Sequence, residues 1–428
     1  MKLTEVRKQL EAGEFAEQFE MLYGNQTEQL TRQKQRYLKL VDLFEKQFPA
    51  REEVHLFSAP GRTEIGGNHT DHQHGCVLAA AVNLDVIAVV AFHDEGVIRL
   101  KSTGYPMDTI DLSNLEVQPQ EKGKAAALIR GVAASFAKLG VKIGGFDAYT
   151  TSDVLSGSGL SSSAAFEVLV GTIIDQYYNG GKAGAVEIAK FGQYAENVYF
   201  GKASGLMDQM VSSVGGFVCI DFNDPANPGI VKHEFDFAKA GYCLCVTDTK
   251  GSHAGLTDDY VAIPAEMKSV AAVFGKEYLR DVDEQAFWNS IPQLHGKCSD
   301  RAIMRAAHFF GENRRAVEEA EALHAGDLER FFAVFKESAA SSAELLQNLY
   351  APHKPEEQAI PLAIWASKRC LGSDAAVRVH GGGFAGTIQA FVPVEKQQQY
   401  REAMESLFGK GSCYLLRIRP VGGIELKD

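Results

Sequence analysis

No two cysteines in this chain form a C-x-x-C pair; the seven thiols are odd in number and scattered from Cys76 to Cys413. That argues against a disulfide framework and predicts free thiols in a reducing cytosol. A run of 18 apolar residues is also missing, so no membrane span is expected. The opening stretch MKLTEVRKQLEAGEFAEQFE reads as a polar amphipathic helix without an apolar signal core, and the expected location is cytoplasmic. Basic excess is absent as well: 43 Lys and Arg stand against 55 Asp and Glu, a net charge of −12. Nucleic acid is therefore excluded as a partner, and any polyphosphate must be held by local N–H groups, a metal and one or two placed cations. There is no internal repeat and no low-complexity segment. What remains is ordinary for a globular protein: 428 residues, 45% hydrophobic and 23% charged, with room for two or three domains or one large two-lobed enzyme.

Apolar spacing predicts helices through residues 1–47, broken into two at Gly24-Asn25. From Val54 the pattern turns to strand: HLFSAPGR and VLAAAVNLDVIAVVAF read as a buried pair. Further helices are expected at 124–139, 161–178 and 183–199, and strands at 98–102, 145–151, 216–222 and 242–247. The second half is helix-rich to Leu349, then strands at 377–379 and 387–391 flank a glycine cluster, and 414–420 closes the chain as a strand. Without a regular βαβ alternation, a two-lobed α+β architecture with mixed or antiparallel sheets is predicted. The expected division is a helical extension over 1–50, a first lobe over 51–245 and a second over 246–428.

Three segments carry chemistry. VLSGSGLSSSAAFE, Val154 to Glu167, sets glycines and serines immediately before an apolar helix. Ser161, Ser162 and Ser163 stand where that helix begins, so free N–H groups and the dipole's positive end converge on one spot suited to a phosphate. It is not a Walker A loop, because no G-K-[ST] closes it. The second segment, PGRTEIGGNHTDHQHG from Pro60 to Gly75, is too polar for a core strand and too glycine-rich for a helix. It suits a polyol or a metal, although His69, Asp71, His72 and His74 match no standard metal spacing. The third, Gly381 to Gly386, could approach a nucleotide or pack under the serine loop.

In chain order the three segments resemble the motifs of the GHMP small-molecule kinases, and PGRTEIGGNHTDHQHG resembles the galactokinase signature P-G-R-V-N-L-I-G-E-H-T-D-Y-N-G-G. Glu196-Asn197 through Ser204-Gly205-Leu206-Met207-Asp208-Gln209 and Asp248-Thr249 through Tyr260 extend the likeness over about residues 54–428. The resemblance implies an ATP-dependent sugar 1-kinase that forms a galactose-type 1-phosphate. Asp208 would accept the anomeric proton or orient the hydroxyl, and Arg62 would hold it ionised. Asn68, His69, Asp71, Gly205 and Tyr260 would meet the sugar together with Arg62 and Asp208. Gly157, Ser158, Gly159, Leu160, Ser161, Ser162 and Ser163 would cradle ATP, and Ser163 (in preference to Ser162) with Glu196 would ligate Mg²⁺. The partners implied are sugar and ATP alone, bound by a monomer or weak dimer.

The chain also departs from that signature. Asn68 replaces a glutamate that meets the sugar's O6, and His72, Asn197 and His380 replace Tyr, His and Thr. Ile263-Pro264 stand for paired arginines and Ala125-Ala126-Ala127 for aromatics of the adenine pocket. Galactose is the expected substrate, with galacturonate, N-acetylgalactosamine or L-arabinose as alternatives. A non-catalytic sugar and ATP sensor is the alternative from another class.

Overall fold

The computed structural model describes residues 1–154 and 159–427. Gly157 and Ser158 of the expected cradle thus lie outside the described residues. Three helices open the chain, α1 (Leu3–Ala12), α2 (Ala16–Tyr23) and α3 (Thr27–Gln47), where the sequence predicts two. The extra break is at Gly13, which caps α1 in the left-handed conformation.

Strands β1 (His55–Gly66) and β2 (Cys76–Phe92) pair antiparallel. Their apolar residues are buried on both faces. Phe57, Ala59, Leu78, Ala80 and Val82 point to the main core, while Leu56, Ile87 and Val89 point to the N-terminal helices. Strand periodicity of two sorts them, and burial on both sides explains the unbroken apolar run in β2. The segment Arg62–Gly66, too polar on sequence grounds for a core strand, is the end of β1. Its polar side chains are met by partners from other elements, which removes the cost of burying them.

Strands β3 (Val97–Ser102) and β4 (Met107–Asp111) follow, and helix α4 (Ala125–Lys138) leads to β5 (Gly145–Ser152), which is parallel to β3. Helices α5 (Ser162–Tyr178), α6 (Gly184–Tyr194) and α7 (Met207–Val214) come next, and Val168, Leu169 and Ile173 of α5 fill the main core. After α6 the chain continues through Ala195–Phe200 in wider π turns. Strands β6 (Phe217–Asp221) and β7 (Gly229–His233) extend the sheet from β2.

Strand β8 (Tyr242–Asp248) begins a second sheet, and the expected lobe division at 245/246 falls inside it. Helices α8 (Thr257–Val273), α9 (Glu284–Asn289), α10 (Ile291–Leu294), α11 (Asp300–Ala325), α12 (Leu328–Ser341) and α13 (Ala359–Leu371) lead to β9 (Val377–His380) and β10 (Thr387–Pro393). Helix α14 (Gln397–Phe408) and β11 (Cys413–Leu416) complete that sheet, ordered β11-β8-β10-β9. The closing strand expected over 414–420 stops at Leu416. The chain then returns to the first sheet as β12 (Ile424–Leu426), paired with β1. Among the described residues no helix is long and apolar enough to cross a membrane.

Candidate active site

The site lies where the end of β1, the start of α5 and the start of α7 meet. Gly159 has φ 74, and a side chain there would press on Thr387 Oγ1 and His380 Nδ1 of the second sheet, 3.1 and 3.2 Å from a Cβ. Conformation and close approach both demand glycine. Ser161 takes a left-handed φ of 57 and does not cap α5. Its hydroxyl instead donates to Asp208 Oδ2 at 2.6 Å. A strained non-glycine residue whose side chain serves another group is the kind of outlier that marks a functional position.

Asp208 stands in the first turn of α7, where the helix dipole favours an anion. Arg62 from β1 donates to it from Nε at 2.7 Å and Nη2 at 2.8 Å. The backbone N–H of Arg62 also bonds Leu160 O at 3.0 Å, so strand and serine loop are locked together. Burial pushes the Asp208 carboxyl up, but Arg62 and the Ser161 hydroxyl more than offset it and hold the group below the usual carboxylate range. The result is a carboxylate that stays ionised, with two positioned donors on it.

The next residue of α7 serves a second cluster. Gln209 Nε2 donates to Glu196 Oε2 at 3.0 Å and to Glu167 Oε2 at 2.8 Å. Glu196 Oε1 accepts from Ser163 Oγ at 3.2 Å and from Lys202 Nζ at 2.8 Å. Glu196 is 3% exposed, and Glu167 is fully buried behind it. Burial and the neighbouring Glu196 push the Glu167 carboxyl well up, so it keeps its proton. Hydroxyl and carboxylate together are a hard-oxygen donor pair, and the carboxylate already holds a cation, the Lys202 ammonium. That set fits Mg²⁺, which takes one or two protein ligands and completes its shell with phosphate oxygens and water.

On the other side of Asp208 lies the loop after β1. Asp71 is half-buried and its carboxylate accepts no hydrogen bond among the described residues; its Oδ2 lies 3.2 Å from a Cβ built on Gly205. His69 has φ 58 and donates from Nε2 to Gly382 O at 2.9 Å. Burial lowers the His69 pKa, so the ring is neutral and Nδ1 is left as an acceptor. Tyr260 donates its hydroxyl to Gly383 O at 2.8 Å and meets His253 Nδ1 at 3.0 Å. The glycine cluster therefore packs against the loop after β1 through Gly382 and against α8 through Gly383, and His380 lies against Gly159. His74 turns away and stacks on Tyr278 with ring centroids 3.7 Å apart, while His72 is half-buried beside His69, ring centroids 5.5 Å apart, with neither ring nitrogen partnered among the described residues.

Comparison with known proteins identifies the family. The galactokinase galactose-binding signature matches residues 42–92, and the GHMP kinase N-terminal domain matches residues 127–216. A galactokinase of Glaesserella parasuis is 30% identical over 375 residues, covering 86% of this chain and 92% of that protein. The chain belongs to the galactokinase family. Its fold is likewise that of a Lactococcus lactis galactokinase solved with galactose, with a TM-score of 0.74, 24% identity, and coverage of 90% of this chain and 98% of that one. A mevalonate kinase of Methanococcus jannaschii has the same fold at a TM-score of 0.61 and 16% identity, covering 85% and 98%.

Within this galactokinase-family chain Asn68, expected at the sugar, is held by protein partners. Asn68 is 1% exposed, and its amide is fully engaged with protein. Nδ2 donates to Glu64 Oε1 at 2.8 Å and Gly381 O at 2.7 Å, while Oδ1 accepts from Asn348 Nδ2 at 2.9 Å. A neutral amide with both donors used braces the loop. Around it runs a buried network that the sequence does not announce. Arg378 Nη1 reaches Ile65 O at 2.7 Å and Ser338 Oγ at 2.8 Å, and His308 Nε2 donates to Asn68 O at 2.9 Å. Lys202, Gln209 and Glu167 were also not singled out, although Gln209 and Glu167 lie inside the motifs. Lys202 had no spacing signal, because it meets Glu196 through the turn that follows the π-helical segment.

Proposed function

We propose that this chain is an ATP-dependent galactokinase, transferring the γ-phosphoryl group to the anomeric hydroxyl of galactose to give α-D-galactose 1-phosphate and ADP. The observation that carries the reading is the Arg62–Asp208 ion pair, tied by Ser161 to the start of α5 and flanked by the unbonded Asp71 carboxylate.

Phosphoryl transfer asks for positioning and charge stabilisation more than covalent chemistry. Asp208 accepts the anomeric proton or orients that hydroxyl, and Arg62 keeps it ionised and faces the developing negative charge. Asp71, His69 Nδ1, Gly205 and Tyr260 hold the sugar, with Asp71 suited to two neighbouring hydroxyls. The described part of the cradle, Gly159 to Ser163, offers the first-turn N–H groups of α5 to the phosphates, and Gly157 and Ser158 belong to the same reading. Ser163 and Glu196 would hold Mg²⁺. The metal neutralises phosphate charge when bound. The reading includes a cytoplasmic monomer or weak dimer.

A coupled ADP-release assay over a sugar panel tests it. Turnover with galactose is expected; saturable sugar binding without any turnover would favour the sensor.

A further inference from the structure

Arg62 and Glu64 stand two residues apart in an unshifted stretch of β1, so both leave the strand on one face, while Thr63 leaves the other to meet His380. Glu64 therefore shares the wall that presents Arg62 to Asp208. One of its oxygens is spent: Oε1 accepts from Asn68 Nδ2 at 2.8 Å and lies 3.4 Å from Arg378 Nη2. The other, Oε2, accepts no hydrogen bond among the described residues, and 8% of the side chain stays open. Of the buried Glu64–Asn68 pair the acid is the less covered, 7% against 1% exposed. The carboxylate that position 68 lacks has not left the site; it stands four residues earlier, bonded to the amide that replaced it.

We propose that Glu64 is a specificity-determining residue of the sugar site, whose free Oε2 accepts a hydroxyl of a neutral hexose and whose charge turns away acidic sugars. This deepens the galactokinase reading and rests on it. An uncharged Asn68 alone would tolerate a C6 carboxylate; the Glu64 charge beside it does not. Two carboxylates forced to about 4 Å repel by about 1 to 4 kcal/mol at effective dielectrics of 80 to 20, on the order of 5- to 1000-fold in relative rate.

The charge itself titrates near neutrality. Burial pushes the Glu64 carboxyl up to about 7, against Arg378, the Asn68 amide and Arg62, with Asp71 adding to the rise. Most groups around it are drawn toward one state. Glu312 on α11 is held down to about 2 and Asp208 on α7 below the usual range, so both stay ionised. His380 on β9 is lowered to about 3 and stays neutral, and burial lowers His69 as well. Burial pushes Glu319 on α11 well up, toward its protonated form. Discrimination against an acid sugar should therefore sharpen as pH rises through 7.

The test is kcat/KM for galactose and for galacturonate, with ATP, in wild type, Glu64→Gln and Glu64→Asp at pH 6 and pH 8. The expected wild type prefers galactose, more so at pH 8. Glu64→Gln should narrow the ratio by about tenfold or more and flatten its pH dependence, while Glu64→Asp keeps the discrimination and raises KM for galactose. A galactose-active wild type with an unchanged ratio in folded Glu64→Gln overturns the inference alone, and so does a wild type that favours galacturonate. If Glu64→Gln does not fold, the wild-type pH trend decides: a flat or inverted trend overturns the inference. A folded wild type inert toward both sugars overturns the galactokinase reading.

Discussion

Arg62 grips Asp208 with a two-pronged fork, Nε to Oδ1 at 2.7 Å and Nη2 to Oδ2 at 2.8 Å, while Ser161 Oγ reaches Oδ2 from the opposite element at 2.6 Å. The pair joins β1 to α7, and the serine ties both to α5. Asp208→Asn keeps the shape and removes the charge and the basicity. It should lower kcat by about 10² to 10⁴ with little change in KM for galactose, read by ADP release. Near-normal kcat would remove Asp208 from the proton-accepting role.

The Ser163–Glu196–Lys202 contact makes a separate prediction about metal. Glu196→Gln keeps an oxygen but loses the charge that a divalent ion needs. The Mg²⁺ concentration for half-maximal activity should rise by about 10- to 100-fold, with activity returning at saturating Mg²⁺. A Mg²⁺ titration that superimposes on the wild type would leave Glu196 as a structural partner of Lys202 and Gln209.

Local pattern carried most of the secondary structure and both ends of the site. The apolar run in β2 and the glycine-serine turn before α5 are strong signals, because each reflects one physical demand, burial on two faces or a helix N-terminus left open. Asn68 shows where that reading stops. Its fate is set by Gly381, Asn348 and Glu64, and two of those are hundreds of residues away in sequence. A motif position reports which residue stands there, not which way its side chain turns. The strand at Arg62–Gly66 was hidden for the same reason: its polar residues are affordable only because His380, Gln389 and Arg378 arrive from the second sheet.

Gly66 and Glu319 fit each other closely. A Cβ on Gly66 would fall 1.8 Å from Glu319 Oε2 and 2.8 Å from its Cδ. Gly66→Ala should therefore destabilise the protein by about 1 to 3 kcal/mol, the usual cost of overpacking, read from denaturant midpoints. Glu319→Ala in the same chain makes room for the methyl group. The double variant should lose less than the sum of the two single losses. Additive losses would place the strain of Gly66→Ala elsewhere in β1.

Among the described residues Glu319 has no hydrogen-bond partner on either carboxylate oxygen, and it is fully buried in α11. Burial, with Glu312 nearby, pushes its carboxyl well above the usual value despite Arg378 and Arg315. The folded state thus keeps a proton that the unfolded chain gives up near its ordinary carboxylate value. Above that value the unfolded state binds fewer protons, so this group's contribution to stability declines as pH rises, by up to about 1.4 kcal/mol per pH unit. Glu319→Gln cannot ionise and removes that slope. Unfolding free energies of the two proteins should differ least near pH 5 and diverge in favour of Glu319→Gln toward pH 8. If instead the difference is constant over that range, Glu319 is ionised in the fold and Arg315 or Arg378 carries its counter-charge.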